Sequence, residues 1–287
     1  SSDHGTHVAG TIAAARNGVG IAGVAPSVRM ASVKVVDDDG FIYPEYAICG
    51  FVWAAEHGID VTNNSYFVDP WFRWCTDDLD QKAGYDAVRR AIDYSAKRDV
   101  VNVAALGNSN WDLSKDVLDE GSPNNQEPIS RVTDEDCFKI PAEVPGFVGV
   151  SSVGPDRGKS FFSNYGVGDT EVAAPGGDSL DVANTPDGNG RVLSTVWPGG
   201  GWGYKQGTSM ASPHATGVVA LIRSTHPEWN AKKVVKKLLE QADRQSCPAN
   251  PYDPTGDGAW EATCEGGKSG RGFYGKGLVD ALDAVTR

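Results

Sequence analysis

Three residues stand in surroundings that suggest chemistry: His4, Asn108 and Ser209. Ser209 lies in Gly207-Thr208-Ser209-Met210-Ala211-Ser212-Pro213-His214, at the head of a run of small and apolar residues that reaches Thr225. A serine hydroxyl is a weak nucleophile at neutral pH, so it needs a base within hydrogen-bond reach and donors for the oxyanion it creates. A helix start offers such donors, because its dipole and free backbone N–H groups favour negative charge. His4, in His4-Gly5-Thr6-His7-Val8-Ala9-Gly10, heads a second predicted helix over 4–15 and is the candidate base. Asn108 closes the apolar run Ala104-Ala105-Leu106-Gly107 and can bring a side-chain N–H to the same oxyanion. His4 and His7 are three apart, but no third ligand accompanies them in a zinc motif. His7 reads as a structural residue beneath the site, and His214 as a packed helix histidine.

The elements that must position these groups read as an α/β arrangement. Val-rich, strand-like runs at 28–36, 59–65, 100–106 and 147–152 alternate with helical stretches, the pattern of a parallel sheet covered by helices. In 44–57, Ala47, Ile48, Phe51, Val52 and Ala55 fall at helical spacing, with Pro44 suited to the first turn and Gly58 to the C-terminal end. The stretch 80–97 carries mixed charges over an Ala/Val/Ile face and reads as a surface helix. The helix over 209–225 should be deeply buried, since no charge interrupts it before Arg223. A further helix over 230–242 has Asn230 as its N-cap, and 278–285 reads as a short closing helix. In such sheets, sites assemble at the strand ends. The polar, aperiodic stretch 110–135 reads as a surface insertion.

Nothing divides the 287 residues, so one domain over 1–287 is expected. With 40% hydrophobic and 22% charged residues the chain has the composition of an ordinary globule with a large core. Asp plus Glu at 38 against Lys plus Arg at 26 gives a net charge of −12, which repels phosphate backbones and anionic lipid. Nucleic acid is therefore not an expected partner. Nor is a membrane, because no apolar run approaches the roughly eighteen residues a spanning helix needs. Cys247 and Cys264 bracket a Pro/Gly/Asp-rich loop over 247–264, Cys75 and Cys137 sit in polar, turn-rich stretches, and Cys49 lies in an apolar helical one. Disulfides Cys75–Cys137 and Cys247–Cys264, with Cys49 a buried thiol, are expected, and they fit secretion into an oxidising compartment.

The motifs around His4, Asn108 and Ser209, in that order along the chain, resemble those of the subtilisin-like serine peptidases, the subtilases. Val24-Ala25-Pro26, Ala173-Ala174-Pro175-Gly176 and Tyr274-Gly275-Lys276-Gly277 match as well. The resemblance implies a three-layer α/β fold with a mostly parallel sheet flanked by helices, and hydrolysis of peptide bonds in polypeptide substrates. It implies that Ser209 attacks the carbonyl, His4 moves the proton, and Asn108 with the Ser209 N–H binds the oxyanion. An inhibitory prosegment is expected from the resemblance alone. The chemistry requires no cofactor, but structural calcium is expected of the family, and Asn17 in the loop 15–21 matches a side-chain ligand. Asp253 and Asp257 could also suit a hard cation.

The family's acidic member, in an Asp-Ser-Gly or Asp-Thr-Gly run on a strand before the histidine motif, has no counterpart in this sequence. Asp3 adjoins His4 too closely to reach the far ring nitrogen, and Asp38 follows the histidine. The first strand of the fold is thus expected to lie in an N-terminal extension, and the 287 residues alone to be nearly inactive. The competing class is a peptidase-like module that holds peptides without cutting them, supported by the missing acid. Either way the resemblance places an extended peptide as an added strand beside Ser65, Tyr66 and Phe67. Ala105, Leu106 and Gly107 would form one wall of the primary pocket. Lys139, ahead of Ile140-Pro141-Ala142, either closes that pocket's base and favours acidic side chains, or points to solvent.

Overall fold

The computed structural model describes residues 3–182, 188–266 and 271–286. In chain order these form α1 (His4–Ala13), α2 (Pro44–Glu56), β1 (Val61–Asn64), β2 (Trp74–Cys75), α3 (Leu79–Lys97), β3 (Val101–Ala105), β4 (Val117–Asp119), β5 (Arg131–Thr133) and β6 (Cys137–Phe138). There follow β7 (Phe147–Val153), β8 (Val172–Pro175), β9 (Val192–Thr195), β10 (Trp202–Lys205), α4 (Thr208–Thr225), α5 (Ala231–Gln241), α6 (Arg271–Tyr274) and α7 (Ala281–Thr286). A parallel sheet in the order β1-β3-β7-β8 forms the middle layer, with Val61 opposite Val101, Asn102 opposite Phe147 and Val150 opposite Val172.

Both faces of this sheet are covered, which explains why its strands are nearly all apolar rather than alternating. Val101, Val103, Val148 and Val150 face α4 and α5, where they meet Ala215, Val218, Val219, Ile222, Val234 and Leu238. Ala104, Leu106 and Phe147 face the other way, onto Ala47 and Phe51 of α2 and Val88 and Ile92 of α3. Each Val, Leu, Ile or Phe among them contributes about 1.5–3 kcal/mol by leaving water. This is the three-layer arrangement expected of the sequence.

Local signals explain the helix boundaries. Pro44 opens α2, the Asp78 carboxylate accepts Asp80 and Gln81 N–H groups ahead of α3, and Asn230 accepts Lys233 N–H ahead of α5. The closing helix starts at Ala281, later than the expected 278, for two reasons. Leu278 exchanges both backbone hydrogen bonds with Asp243, and the Asp280 carboxylate caps Leu282 and Asp283. The two expected disulfides are present, Cys75–Cys137 tying β2 to β6 and Cys247–Cys264 closing the loop between them.

Two expectations fail. The run 28–36 forms no strand, because no described segment pairs with it; Val33 and Val35 instead pack toward Gly50 of α2. Cys49 is exposed rather than buried. The buried face of α2 is set by Ala47, Phe51, Ala54 and Ala55, and a residue two positions past Ala47 is turned about 200° away from it. The stretch 110–135 holds the β4–β5 hairpin, and Leu113, Asp119 and Thr133 within it are buried.

Candidate active site

Ser209 is the second residue of α4, whose N-cap Gly207 has φ +148°, a backbone that side chains rarely adopt. Pro213 lies inside that helix and has no N–H to give the carbonyl four residues back, which is that of Ser209. The hydroxyl of Ser65, just past β1, fills the gap by donating to Ser209 O at 2.9 Å. The Ser209 hydroxyl donates weakly to Ser65 O at 3.4 Å. Proline and serine thus fasten the end of β1 to the first turn of α4. One turn on, Ser212 and Thr216 both donate to Asn63 Oδ1, and Asn63 Nδ2 donates to Ser65 Oγ.

The Asn108 amide is oriented without ambiguity. Thr208 N–H can only donate, so the atom it meets at 2.9 Å is Asn108 Oδ1. Gly107 N–H occupies Thr208 Oγ1 as donor at 2.9 Å, which directs the threonine proton to the same Oδ1 at 3.0 Å. Asn108 Nδ2 is thereby turned outward. A Cβ added at Gly207 would lie 3.4 Å from Asn108 Nδ2, 3.6 Å from Asn108 Oδ1 and 3.6 Å from Ser209 N, so the amide stands beside the start of α4. The Asn108 amide and the Ser209 N–H thus stand near each other at the first turn of α4.

His4 begins α1, which packs directly on α4; Met210 sits against Val8 and Ile12. The position of α1 is held from behind. His7 Nε2 lies 3.1 Å from both Val192 O and Gly203 O, so it must carry the proton, while Ser194 and Thr195 donate to the carbonyls of His7 and Thr6. His7 is fully buried, in the structural place expected of it, and His214 Nδ1 bonds Met210 O within α4. Burial holds the His4 imidazole below its usual pKa of 6.5, and the Lys205 charge adds to this. Asp3, the carboxylate acting on His4 among the described residues, is engaged by Lys205 at 2.8 Å.

Of the other sequence candidates, Ser65 joins Ser209 directly, whereas Tyr66 turns its hydroxyl inward to Asn64 Oδ1 at 2.9 Å. The Phe67 ring lies over the Lys139 ammonium, 4.6 Å away. Lys139 is buried, so the solvent-facing alternative does not hold. Ala105 and Leu106 are core, and Gly107 has φ +109°. A Cβ on Gly107 would fall 2.6 Å from Asn164 Nδ2 and 2.7 Å from Lys139 Cε. Gly107→Ala is expected to cost about 1–3 kcal/mol of stability, measured by urea unfolding; an unchanged midpoint would contradict this packing.

Asn17 spends its side-chain oxygen on Val19 N–H, and Asp253 and Asp257 accept hydrogen bonds from their own loop. No group of three His, Cys, Asp or Glu side chains converges among the described residues. Sequence reasoning missed Asn63, Asn164, Ser212 and Thr216. Asn164 accepts Ser109 and Trp111 N–H groups and donates to Leu106 O, bracing both sides of Asn108. Only Ser212 and Thr216 left a signal, as a four-residue polar step on an otherwise apolar helix.

A sequence profile of the subtilase family matches residues 1–264. The chain belongs to the subtilase family. This subtilase is 33% identical to subtilisin NAT of Bacillus subtilis subsp. natto over 84% of its length and 51% of that protein's. It is 34% identical to fervidolysin of Fervidobacterium pennivorans over 83% of its length and 30% of that protein's. The chain thus spans about half the length of the first of these relatives. Among solved structures, the epidermin leader peptide processing serine protease of Staphylococcus aureus overlays with a TM-score of 0.75 at 26% identity, covering 98% of this chain and 62% of that one. A protease from Pseudoalteromonas arctica overlays with a TM-score of 0.69 at 29% identity, over 98% of this chain and 70% of that one.

Proposed function

We propose that this subtilase is a secreted serine endopeptidase in which Ser209 attacks the peptide carbonyl, neutral His4 takes its proton, and Asn108 Nδ2 with the Ser209 N–H receives the oxyanion. The observation that supports the reading is the hydrogen-bond chain from Gly107 through Thr208 to Asn108 Oδ1, which fixes the amide beside the first turn of the helix that carries Ser209. The substrate is a polypeptide laid alongside Ser65, Tyr66 and Phe67, and the family's inhibitory prosegment would occupy the same groove. The two disulfides support an oxidising, extracellular setting. No described helix is long and apolar enough to cross a membrane. A fluorophosphonate probe applied to the full-length protein tests the assignment: it should label wild type and not Ser209→Ala. The second reading is a peptide-binding module that does not cut; the Asp3 carboxylate beside His4 is ion-paired with Lys205 at 2.8 Å. Absence of labelling in the wild type would select that reading.

The acid limb of kcat/KM provides a further check. The base must be neutral, and a depressed pKa keeps it neutral further into acid, so the limb is expected below pH 6.5. Lys205→Met removes one cause of the depression and frees the Asp3 charge to act on the ring, so the limb should move to higher pH. A limb that stays fixed or moves down would show that Lys205 does not act on His4.

A further inference from the structure

We propose that Lys139 forms the floor of the pocket for the residue on the acyl side of the scissile bond, and that this pocket selects an Asp or Glu side chain. The inference rests on the peptidase reading above. Lys139 is only 6% exposed, yet its ammonium forms no hydrogen bond to any described residue. It rests instead on aromatic faces, 4.6 Å from the ring centre of Phe67 and 5.8 Å from that of Phe72. Burying a charge without an acceptor is unfavourable, and folded chains ordinarily pair it.

The carboxylates whose fields reach this ammonium are Glu143, Asp119 and Asp69, with Arg73 opposing them. Each of the three has other partners. Glu143 accepts the Lys139 backbone N–H at 2.7 Å and pairs with Arg73 at 3.4 Å. Asp119 pairs with Arg131 at 2.9 Å and accepts Gly121 N–H at 3.0 Å. Asp69 accepts Ile42 N–H at 2.5 Å and the Asn124 amide at 2.6 Å. The fold therefore draws a cation with its N–H donors in to 6% exposure without a protein acceptor among the described residues, and since Nζ is not one of the enclosed nitrogens that lack a partner, it keeps an opening to the surface.

Those donors lie at the edge of the reacting centre. The absent side chain of Gly107 leaves room for Lys139, since a Cβ there would stand 3.3 Å from Nζ. Gly107 is bonded to Thr208 and precedes Asn108. On the other side Phe67, two residues after the Ser65 that holds Ser209 O, covers the same ammonium. The cation thus sits between the two chain segments that flank Ser209, with three donors available to a carboxylate entering from that side. A side-chain amide of the same shape lacks the charge, and an aliphatic one would leave the ammonium desolvated and unpaired. Burial also lowers the Lys139 pKa to about 8. Discrimination of Glu from Gln should therefore fade as the pH rises through about 8, where His4 stays neutral.

The test uses the full-length protein with Ala-Ala-Pro-X p-nitroanilides, X being Glu, Gln or Leu, in wild type, Lys139→Arg and Lys139→Met. Wild type should prefer Glu to Gln by roughly 10²-fold in kcat/KM, Lys139→Arg should retain the preference, and Lys139→Met should favour Leu. A wild-type preference for Leu, or a Glu preference that survives Lys139→Met, overturns the proposal. Thermal melts check that Lys139→Met folds, as removal of an unpaired buried charge should allow. The free product peptides Ala-Ala-Pro-Glu and Ala-Ala-Pro-Gln, titrated by calorimetry, interrogate the pocket without catalysis. Tighter binding of the Glu peptide supports the assignment even in protein that the fluorophosphonate fails to label, whereas equal affinities refute it. Labelling of Ser209 without acidic preference would remove this proposal alone and leave the peptidase reading intact.

Discussion

Ser209→Ala in the full-length protein is expected to lower kcat by roughly 10⁶-fold, the magnitude measured in subtilisin itself for loss of the nucleophile, with little change in KM. The fold should be indifferent to the change. The hydroxyl makes one weak hydrogen bond, to Ser65 O at 3.4 Å, while the bond that fastens α4 to β1 uses the Ser209 carbonyl, which alanine keeps. Stability is therefore expected to move by no more than about 0.5 kcal/mol. Steady-state kinetics and a thermal melt on the same preparation measure both quantities. If activity survived with the fold intact, the nucleophile would have to be another group, and the roles given to His4 and Asn108 would go with it.

Asn108→Leu and Asn108→Asp form the second test. An oxyanion donor acts mainly in the transition state, so its loss lowers kcat by about 10²–10³ and leaves KM near its starting value; this range too is that of subtilisin. Leucine removes the donor and also the acceptor that Thr208 uses twice, so it should destabilise the start of α4 as well. Aspartate keeps the acceptor for Thr208 and replaces the N–H with negative charge. It should preserve the fold better than leucine while harming kcat at least as much. If Asn108→Asp retained wild-type kcat, the amide would be a brace for α4 and nothing more.

Much of this architecture was legible from local patterns. Helical spacing and end residues such as Pro44 and Asn230 depend on near neighbours in the chain, and they placed α2 and α5 to within a residue or two. The apolar runs 100–106 and 147–152 were recognisable as strands buried on both faces for the same reason. The exposure of Cys49 could have been read from the same periodicity, since it lies opposite Ala47 and Phe51. The run 28–36 could not, because a strand exists only through hydrogen bonds to a partner, and β-rich composition supplies no partner.

What the sequence determined by itself was the set of chemical types and the local frames that hold them: a histidine and a serine on the first turns of helices, an asparagine at a strand end, and two cysteine pairs. Tertiary structure alone decided how these frames meet. It set α1 on α4 through Met210, gave the Ser209 carbonyl to Ser65 because Pro213 has no N–H, and turned the Asn108 amide through Thr208. It also decided that Lys139 lies inside, beside rings of Phe67 and Phe72 that are more than sixty residues away in the chain. Short-range preferences are written in neighbouring residues. The partner of a buried charge or an unpaired carbonyl depends on which distant segments the packed sheet brings together.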